Sequence, residues 1–411
     1  MNSSQKKYLP LEDLVDFIVD NRGKTVPTSE SGIPLIATNC IKHSSIYPIF
    51  ENIRYISQET YSNWFRAHLQ SNDILFVNKG TPGRVCVVPN PVNFVGAQDM
   101  VGLRFKKEYH PFYMLAVLRS KEIQNTIQNN HVGLVIPHFR KQELVKLKLP
   151  ILEKIKRDKI GEIYFNLSSK IEINNSINAE LEQMAKTLYD YWFLQFDFPN
   201  EEGKPYKSSG GKMVYNKALK REIPEGWEVK KLCEIANITM GQSPAGESYN
   251  EEGNGMIFFQ GSTDFGWRFP ENRVYTTQPT RFAKEDDILL SVRAPIGTMN
   301  LAMKDCCIGR GLAALNEKNR NSSFLIYQMN YFKKKFDYLN SVGTTFGSLT
   351  KDELYKLELA YPSKKILKQF ETVVSTFDNR IKINTKQNKE LSALRDWLLP
   401  MLMNGQVKVT D

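Results

Sequence analysis

Residues 170–184 read KIEINNSINAELEQM, and residues 380–394 read RIKINTKQNKELSAL. Six of these 15 positions are identical, at an offset of 210. A second window keeps the same offset. Val132-Gly133…Lys141-x-Glu143-Leu144-x-Lys146-Leu147-x-Leu149 returns as Val342-Gly343…Lys351-x-Glu353-Leu354-x-Lys356-Leu357-x-Leu359, 8 identities in 18 positions. Chance gives one or two over both windows, so the 411-residue chain is a tandem repeat. Further upstream the match drifts. Asp73-Ile74-Leu75 aligns with Asp287-Ile288-Leu289, Lys79 with Arg293, Gly83 with Gly297, and Gly23-Lys24-Thr25 with Gly241-Gln242-Ser243. Each half therefore has a variable part followed by a better-matched tail.

The tails read as long helices. With Ile160 at heptad position a, that position falls on Ile160, Leu167, Asn174, Leu181 and Leu188, and d falls on Ile163, Lys170, Ile177, Met184 and Tyr191. In the second tail a falls on Phe370, Phe377, Asn384, Leu391 and Leu398, and d on Val373, Arg380, Gln387, Leu394 and Met401. Both seams break alike, with a basic residue at d and then Asn at a. A buried Asn at a costs stability and fixes register. Two arrangements are open: each helix packs on its own globule, or the helices pair with one another. The matched defects favour pairing through Leu167, Asn174, Ile177, Leu181, Leu188, Phe377, Asn384, Leu391, Leu394 and Leu398. Residues 160–191 would span about 47 Å, the length of a spacer.

The variable parts, 1–150 and 224–362, read as α+β globules. Short apolar runs at 33–37, 74–77, 85–88, 101–105, 256–259 and 288–292 are punctuated by Gly, Pro and Asn, with helices at 112–129 and 323–338. The expected plan is globule 1–150, helix 151–198, linker 199–223, globule 224–362, then helix and tail 363–411. The 199–223 stretch is Gly/Ser/Lys-rich and reads as a linker or exposed loop.

The net charge of +10 invites a polyanionic partner, but it is unevenly spread: residues 1–150 carry +6 and residues 224–362 carry −1. The five cysteines form no C-x-x-C pair, which fits a reduced compartment and argues against a zinc ribbon. The N-terminus lacks the apolar core of a signal peptide, and no apolar run approaches membrane-spanning length, so a cytoplasmic location is expected.

Catalytic motifs are missing. The Asn/Asp-Pro-Pro-aromatic motif of amino-methyltransferases is absent, because the 19 prolines include no Pro-Pro. Gly23-Lys24-Thr25 ends like a Walker A loop, but residue 18 is Ile where the opening Gly belongs. Glu225…Glu228-x-Lys230 has too little chain between its acids for a nuclease core. His43, His68, His110, His131 and His138 all lie in the first half and fit no metal spacing. No catalytic residue, metal or cofactor is expected on this chain.

What remains is loop chemistry suited to DNA. Lys79, Thr81 and Arg84 follow the run at 74–77, and Arg293 follows the run at 288–291. Arg and Lys on such turns can reach phosphate or guanine. Asn39 and Lys42, and their counterparts Gln260, Ser262 and Arg268, follow the runs at 33–37 and 256–259. Asn and Gln read adenine well, but they also sit in turns for local reasons. Lys24, His138, Arg140, Gln242, Arg310, Thr344 and Thr345 complete the candidate contacts.

The pattern resembles the specificity subunits of type I DNA restriction–modification enzymes. The resemblance rests on Lys170–Asn174, Glu180–Glu182, Leu188–Phe193, Arg380–Asn384 and Glu390-Leu391, on IPEGWEVKKL (Ile223–Leu232), on Gly241–Pro244 and on Val342–Thr345, and it spans essentially the full chain. It implies two target recognition domains, each reading half of a bipartite, asymmetric double-stranded DNA site. It implies helices paired as an antiparallel coiled coil that binds two adenine-methylating modification subunits, with restriction subunits joining to cut. S-adenosylmethionine, ATP and Mg2+ would sit on those partners. A coiled-coil assembly scaffold and a stand-alone DNA nuclease are the competing readings.

Overall fold

The computed structural model describes residues 6–21, 24–133, 135–293, 295–341, 348–404 and 406–407. The chain forms two compact units. Unit 1 comprises Met1–Ile177 and Ile383–Asp411, and unit 2 comprises Asn178–Lys382. Each unit is thus a globule plus part of each tail helix.

Both globules repeat one plan. In unit 1 a four-stranded antiparallel sheet runs in the order Val15–Val19, Met100–Phe105, Ile74–Val77, Val85–Val87. In unit 2 the order is Ala236–Met240, Leu312–Glu317, Ile288–Ser291, Met299–Leu301. Ile74 stands opposite Leu103, and Ile288 opposite Leu315. The inner strand Ile74–Val77 is apolar throughout, and Ile288–Ser291 nearly so, because both sheet faces are covered. Side chains alternate across a strand, so Ile74 and Phe76 pack with the helix side chains Phe112 to Leu118, while Leu75 and Val77 enter a second core with Val19, Cys86 and Met100. Ile288 and Leu290 divide from Leu289 in the same way.

A second sheet carries the other core. It has three strands in unit 1 and five in unit 2, and each holds one parallel pair, Leu35 with Val95 and Phe258 with Cys307. The helix expected at 112–129 is broken at Ser120, whose side chain caps a new helix, Lys121–Asn130, after Pro111–Arg119. The helix in unit 2 is Ser322–Ser341.

The tails are helices Lys154–Tyr189 and Lys364–Met403, the first continuing through a wider π-helical turn at Asp190–Leu194. Their buried faces correct the heptad assignment. Position a holds: Ile160, Asn174, Phe370 and Asn384 are buried, and Leu167, Leu181, Leu188, Phe377, Leu391 and Leu398 are half-buried. The second seam lies one residue beyond d, at Tyr164, Ile171, Ala185, Val374, Ile381 and Leu402, all buried. Lys170 and Arg380 are exposed, so the basic residue does not interrupt the seam. Leu394, expected to pair, is 45% exposed, and Ile177 is half-buried.

The 199–223 stretch holds a hairpin rather than a bare linker. Met213–Asn216 pairs antiparallel with Arg221–Pro224. The preceding loop stacks Phe198 on Tyr206, with ring centroids 4.7 Å apart, and on Trp227 at 5.2 Å. Asp197 holds the loop shut by accepting from the backbone N–H and the hydroxyl of Ser208, both at 2.7 Å. Among the described residues no helix is long and apolar enough to cross a membrane.

Candidate nucleic-acid interface

In unit 1 the strand Ile74–Val77 ends in the turn 78–84. Gly83, at φ +90°, donates its N–H to Val77 O at 3.0 Å, and a Cβ there would lie 3.0 Å from Gln124. Gly297 closes the matching turn in unit 2, at φ +86° with its N–H on Ser291 O. The glycines are needed because L side chains rarely adopt this conformation.

Three backbone segments meet at the turn. Asn78 N–H and Lys79 N–H both point to Asp99 O, at 2.9 and 3.3 Å. Phe139 N–H donates to Asn78 O at 2.8 Å, and Lys79 forms an isolated antiparallel bridge with His138. The exposed Lys79 ammonium is thereby set beside the half-buried His138 and the exposed Arg140. Unit 2 repeats the junction. Val292 N–H donates to Gly311 O at 3.0 Å, Leu349 N–H donates to Val292 O at 2.7 Å, and Arg293 bridges to Ser348.

Unit 2 adds a polar cluster beside its junction. Gln242 N–H donates to Ile308 O at 3.0 Å, and Gly311 N–H donates to Gln260 O at 3.2 Å. The Gln260 side-chain amide meets Ser243 Oγ at 3.0 Å, and Arg310 N–H donates to that same oxygen at 3.3 Å. A Cβ on Gly241 would lie 2.2 Å from Gly309 O, so these backbones come this close only through glycine. The result is an edge carrying the exposed side chains of Gln242, Gln260, Arg281, Arg293 and Arg310. No ion pair involves these three arginines among the described residues.

Other expected contacts stand elsewhere. Arg268 is a correction: it is 7% exposed, with its guanidinium on the carboxylates of Glu182 and Asp378 and Nη1 donating to Tyr327 Oη at 3.4 Å. Burial raises the Tyr327 phenol above its ordinary pKa, so it stays protonated. Such a guanidinium has no reach to DNA. Asn39 donates to Glu51 O at 2.6 Å, and the Lys42 ammonium is paired with the Glu51 carboxylate at 2.5 Å, so both brace their own loop. The Thr81 hydroxyl is buried and unpartnered, Arg84 is half-buried, and Lys24 is exposed. Ser262 opens a short helical turn. Thr344 and Thr345 lie outside the described residues. Gln98 was not among the expected contacts. The pairing of 35–36 with 95–96, and of 258–259 with 307–308, places it where unit 2 carries Arg310. The segments VGAQD and CIGRG share too little for the sequence to align them.

The tail helices meet within unit 1. Asn174 Nδ2 donates to Gln387 Oε1 and to Asn388 Oδ1, both at 2.8 Å, and Asn388 Nδ2 donates to Asn175 Oδ1 at 2.8 Å. Leu398, Leu399 and Leu402 share a core with Ile160, Ile163 and Tyr164. Within unit 2, Tyr189 and Trp192 pack on Phe370, with centroids at 6.3 and 5.8 Å, and Leu181, Leu188 and Phe377 line that core.

No group of three or more His, Cys, Asp or Glu side chains among the described residues is arranged to hold a metal. Two α+β globules with polar, cationic loop edges, each followed by a long helix, define a DNA-targeting architecture. The family profile described as type I restriction modification DNA specificity domain matches residues 4–183 and 224–393, one match per repeat. The chain belongs to this family of specificity subunits, the non-catalytic targeting components of type I restriction–modification systems that work with modification and restriction subunits. It is 26% identical to the type I restriction enzyme MjaIX specificity subunit of Methanocaldococcus jannaschii, over 82% of this chain and 78% of that one. A second relative in the same organism is 28% identical over 97% of this chain and 93% of its own length. The HindI specificity subunit of Haemophilus influenzae is 24% identical over 72% and 76%. The crystal structure of the type I S subunit from M. genitalium has the same fold, with a TM-score of 0.58 at 18% identity, covering 100% of this chain and 98% of that one.

Proposed function

We propose that the two units read the two halves of a split, asymmetric site in double-stranded DNA. The tail helices pair as an antiparallel coiled coil and set the unread spacer between the halves. The same helices recruit two adenine-methylating modification subunits, which restriction subunits join. The observation that carries this reading is the repeated junction: Lys79 on His138 in unit 1, and Arg293 on Ser348 in unit 2. One backbone frame presents two different sets of side chains, as two different half-sites require.

Lys79, Arg140, Arg293 and Arg310 supply phosphate or guanine contacts, and the exposed Gln242 and Gln260 supply amides that match adenine edges. Lys24 and His138 stand as further contacts in unit 1. The near-neutral total charge of residues 224–362 is no obstacle, because Arg281, Arg293 and Arg310 gather on one edge. Coiled-coil pairing is supported by the falling numbers on one helix as they rise on the other: Ile160 and Tyr164 sit with Leu402 and Leu398, and Asn174 sits with Asn388. Recruitment of two like partners is supported by exposed apolar residues recurring at the repeat offset, Ile173 with Ile383 and Met184 with Leu394.

The test is an adenine-methylation map of cells carrying the modification subunit, with and without this chain. A split motif methylated only in the presence of the chain is expected. No change, with both proteins expressed and co-purifying, would overturn the reading and bring forward the scaffold alternative.

A further inference from the structure

The bridge between Lys79 and His138 leaves a short loop standing off unit 1. Val132 N–H donates to His138 O at 2.9 Å, and His138 N–H donates to Val132 O at 2.8 Å, which closes the loop at its base. Gly80 N–H donates to Pro137 O at 2.9 Å and ties the loop to the 78–84 turn. Gly133, at φ +94°, folds it tightly: a Cβ there would lie 2.6 Å from Ile136 O. Three of its apolar residues are exposed. Val135 is 93% exposed, Ile136 54% and Val132 39%.

Single exposed apolar residues are ordinary. Three on one braced loop, beside the exposed cations Lys79 and Arg140, are a different matter. Cations of this kind take phosphates and set the protein's register on a duplex. Apolar side chains near such contacts can face the base stack, and β-branched side chains, already restricted at χ1, lose little conformational entropy when they insert.

We infer that Val135 and Ile136 form an apolar wedge that enters a groove of the half-site read by unit 1 and unstacks one base step there. The energy of unstacking is returned by the closer approach of Lys79 and Arg140 to the duplex. The wedge makes the site's deformability part of what unit 1 reads, so specificity extends to a step without hydrogen bonds to the protein. The inference rests on the proposed reading of DNA by unit 1.

The experiment uses the full chain with its modification subunit on the duplex found by the methylation map. Adenines of the unit 1 half-site are replaced one at a time by 2-aminopurine, and thymines are probed with permanganate. The wild-type complex is expected to raise fluorescence or permanganate reactivity several-fold at one step. The Val135→Ser/Ile136→Ser double variant is expected to abolish that rise and to lower the preference for the site over random DNA by about ten-fold or more. Its slope of log affinity against log salt on random DNA should not change, because no cation is removed. Anisotropy on the same duplexes separates the failures. Binding without unstacking, or the same unstacking in the variant, overturns the wedge alone. No binding overturns the DNA-reading function and the wedge with it.

Discussion

Lys79 and His138, 59 positions apart in the sequence, pair as an isolated antiparallel bridge at the edge of unit 1, and Arg293 and Ser348 pair in the same way in unit 2. The turn that carries the cation and the residues just before a short helix, Lys141–Lys146 in unit 1 and Lys351–Tyr355 in unit 2, are therefore one surface, built twice. If each surface reads its own half-site, damage to one should spare the other. Arg293→Ala should weaken discrimination in one half of the split motif, by about 1–3 kcal/mol if the side chain contacts a base, and Lys79→Ala should act on the other half. Selection from duplex pools with one half randomised at a time measures both. Equal weakening on every duplex by either variant would reduce that residue to a phosphate anchor.

Arg268 offers the contrasting case. Its guanidinium lies among Glu182, Asp378 and Tyr327, buried within unit 2. Removing one member of a buried ion cluster leaves the remaining charges uncompensated, at a cost of about 3–5 kcal/mol. Arg268→Ala should therefore lower the denaturation midpoint of the protein sharply. Arg268→Met, which keeps more of the volume, should still be destabilising, because two carboxylates lose their partner. Native stability with altered DNA discrimination would return Arg268 to the interface.

The two arginines also show how far the sequence could be read. Both follow a strand in a turn rich in Gly or Pro, and nothing local separates them. What separates them is the convergence of acids from two helices and a tyrosine from a third, at positions 86, 110 and 59 residues away. The repeat was legible because identical spacing recurs at one offset, and both buried asparagines followed from it. The phase of the second seam was not. Ile163 and Ile177 are apolar at d, as are Tyr164 and Ile171 one place later, so periodicity alone allows either seam. The choice is made by which face meets the globule, and Glu172 marks it by accepting from Ile46 N–H at 2.9 Å. The hairpin inside 199–223 was hidden by its lysines, because its order comes from Phe198, Tyr206 and Trp227 packing across 30 residues.

Glu371 predicts a pH dependence of folding. Burial is the main cause that pushes its carboxyl up to about 7, although it accepts backbone N–H groups from Phe324 at 2.8 Å and Ser323 at 3.4 Å. The folded state therefore holds this proton more tightly than the unfolded chain, whose ordinary value is 4.5. The contribution is complete below pH 4.5 and is lost as pH rises through 7, amounting to at most about 3 kcal/mol. Glu371→Gln keeps an acceptor oxygen and removes the titration. It should flatten the change in stability between pH 5 and 8 and raise stability at pH 8. A variant with the wild-type slope would place the titration elsewhere.

Asn174 should be worth more to register than to stability. Its amide is fully buried, and it donates to Gln387 and Asn388 while its own Oδ1 finds no partner. A polar side chain at such a position normally costs stability and excludes other alignments of the helices. Asn174→Leu replaces it with the residue that neighbouring layers use. Gln387 is exposed and Asn388 half-buried, so water can satisfy the oxygens left behind. The variant should fold with equal or greater stability, by about 1 kcal/mol. The cost should appear in function. A slip of one heptad shifts one helix along the other by roughly 10 Å, close to three base pairs at about 3.4 Å each. The methylation map of Asn174→Leu should then show the same two half-sites with more than one spacer length, or a weaker preference for the original one. A sharp fall in the denaturation midpoint, with the spacer unchanged, would instead make the asparagine layer a net source of stability and leave register to the apolar layers on either side.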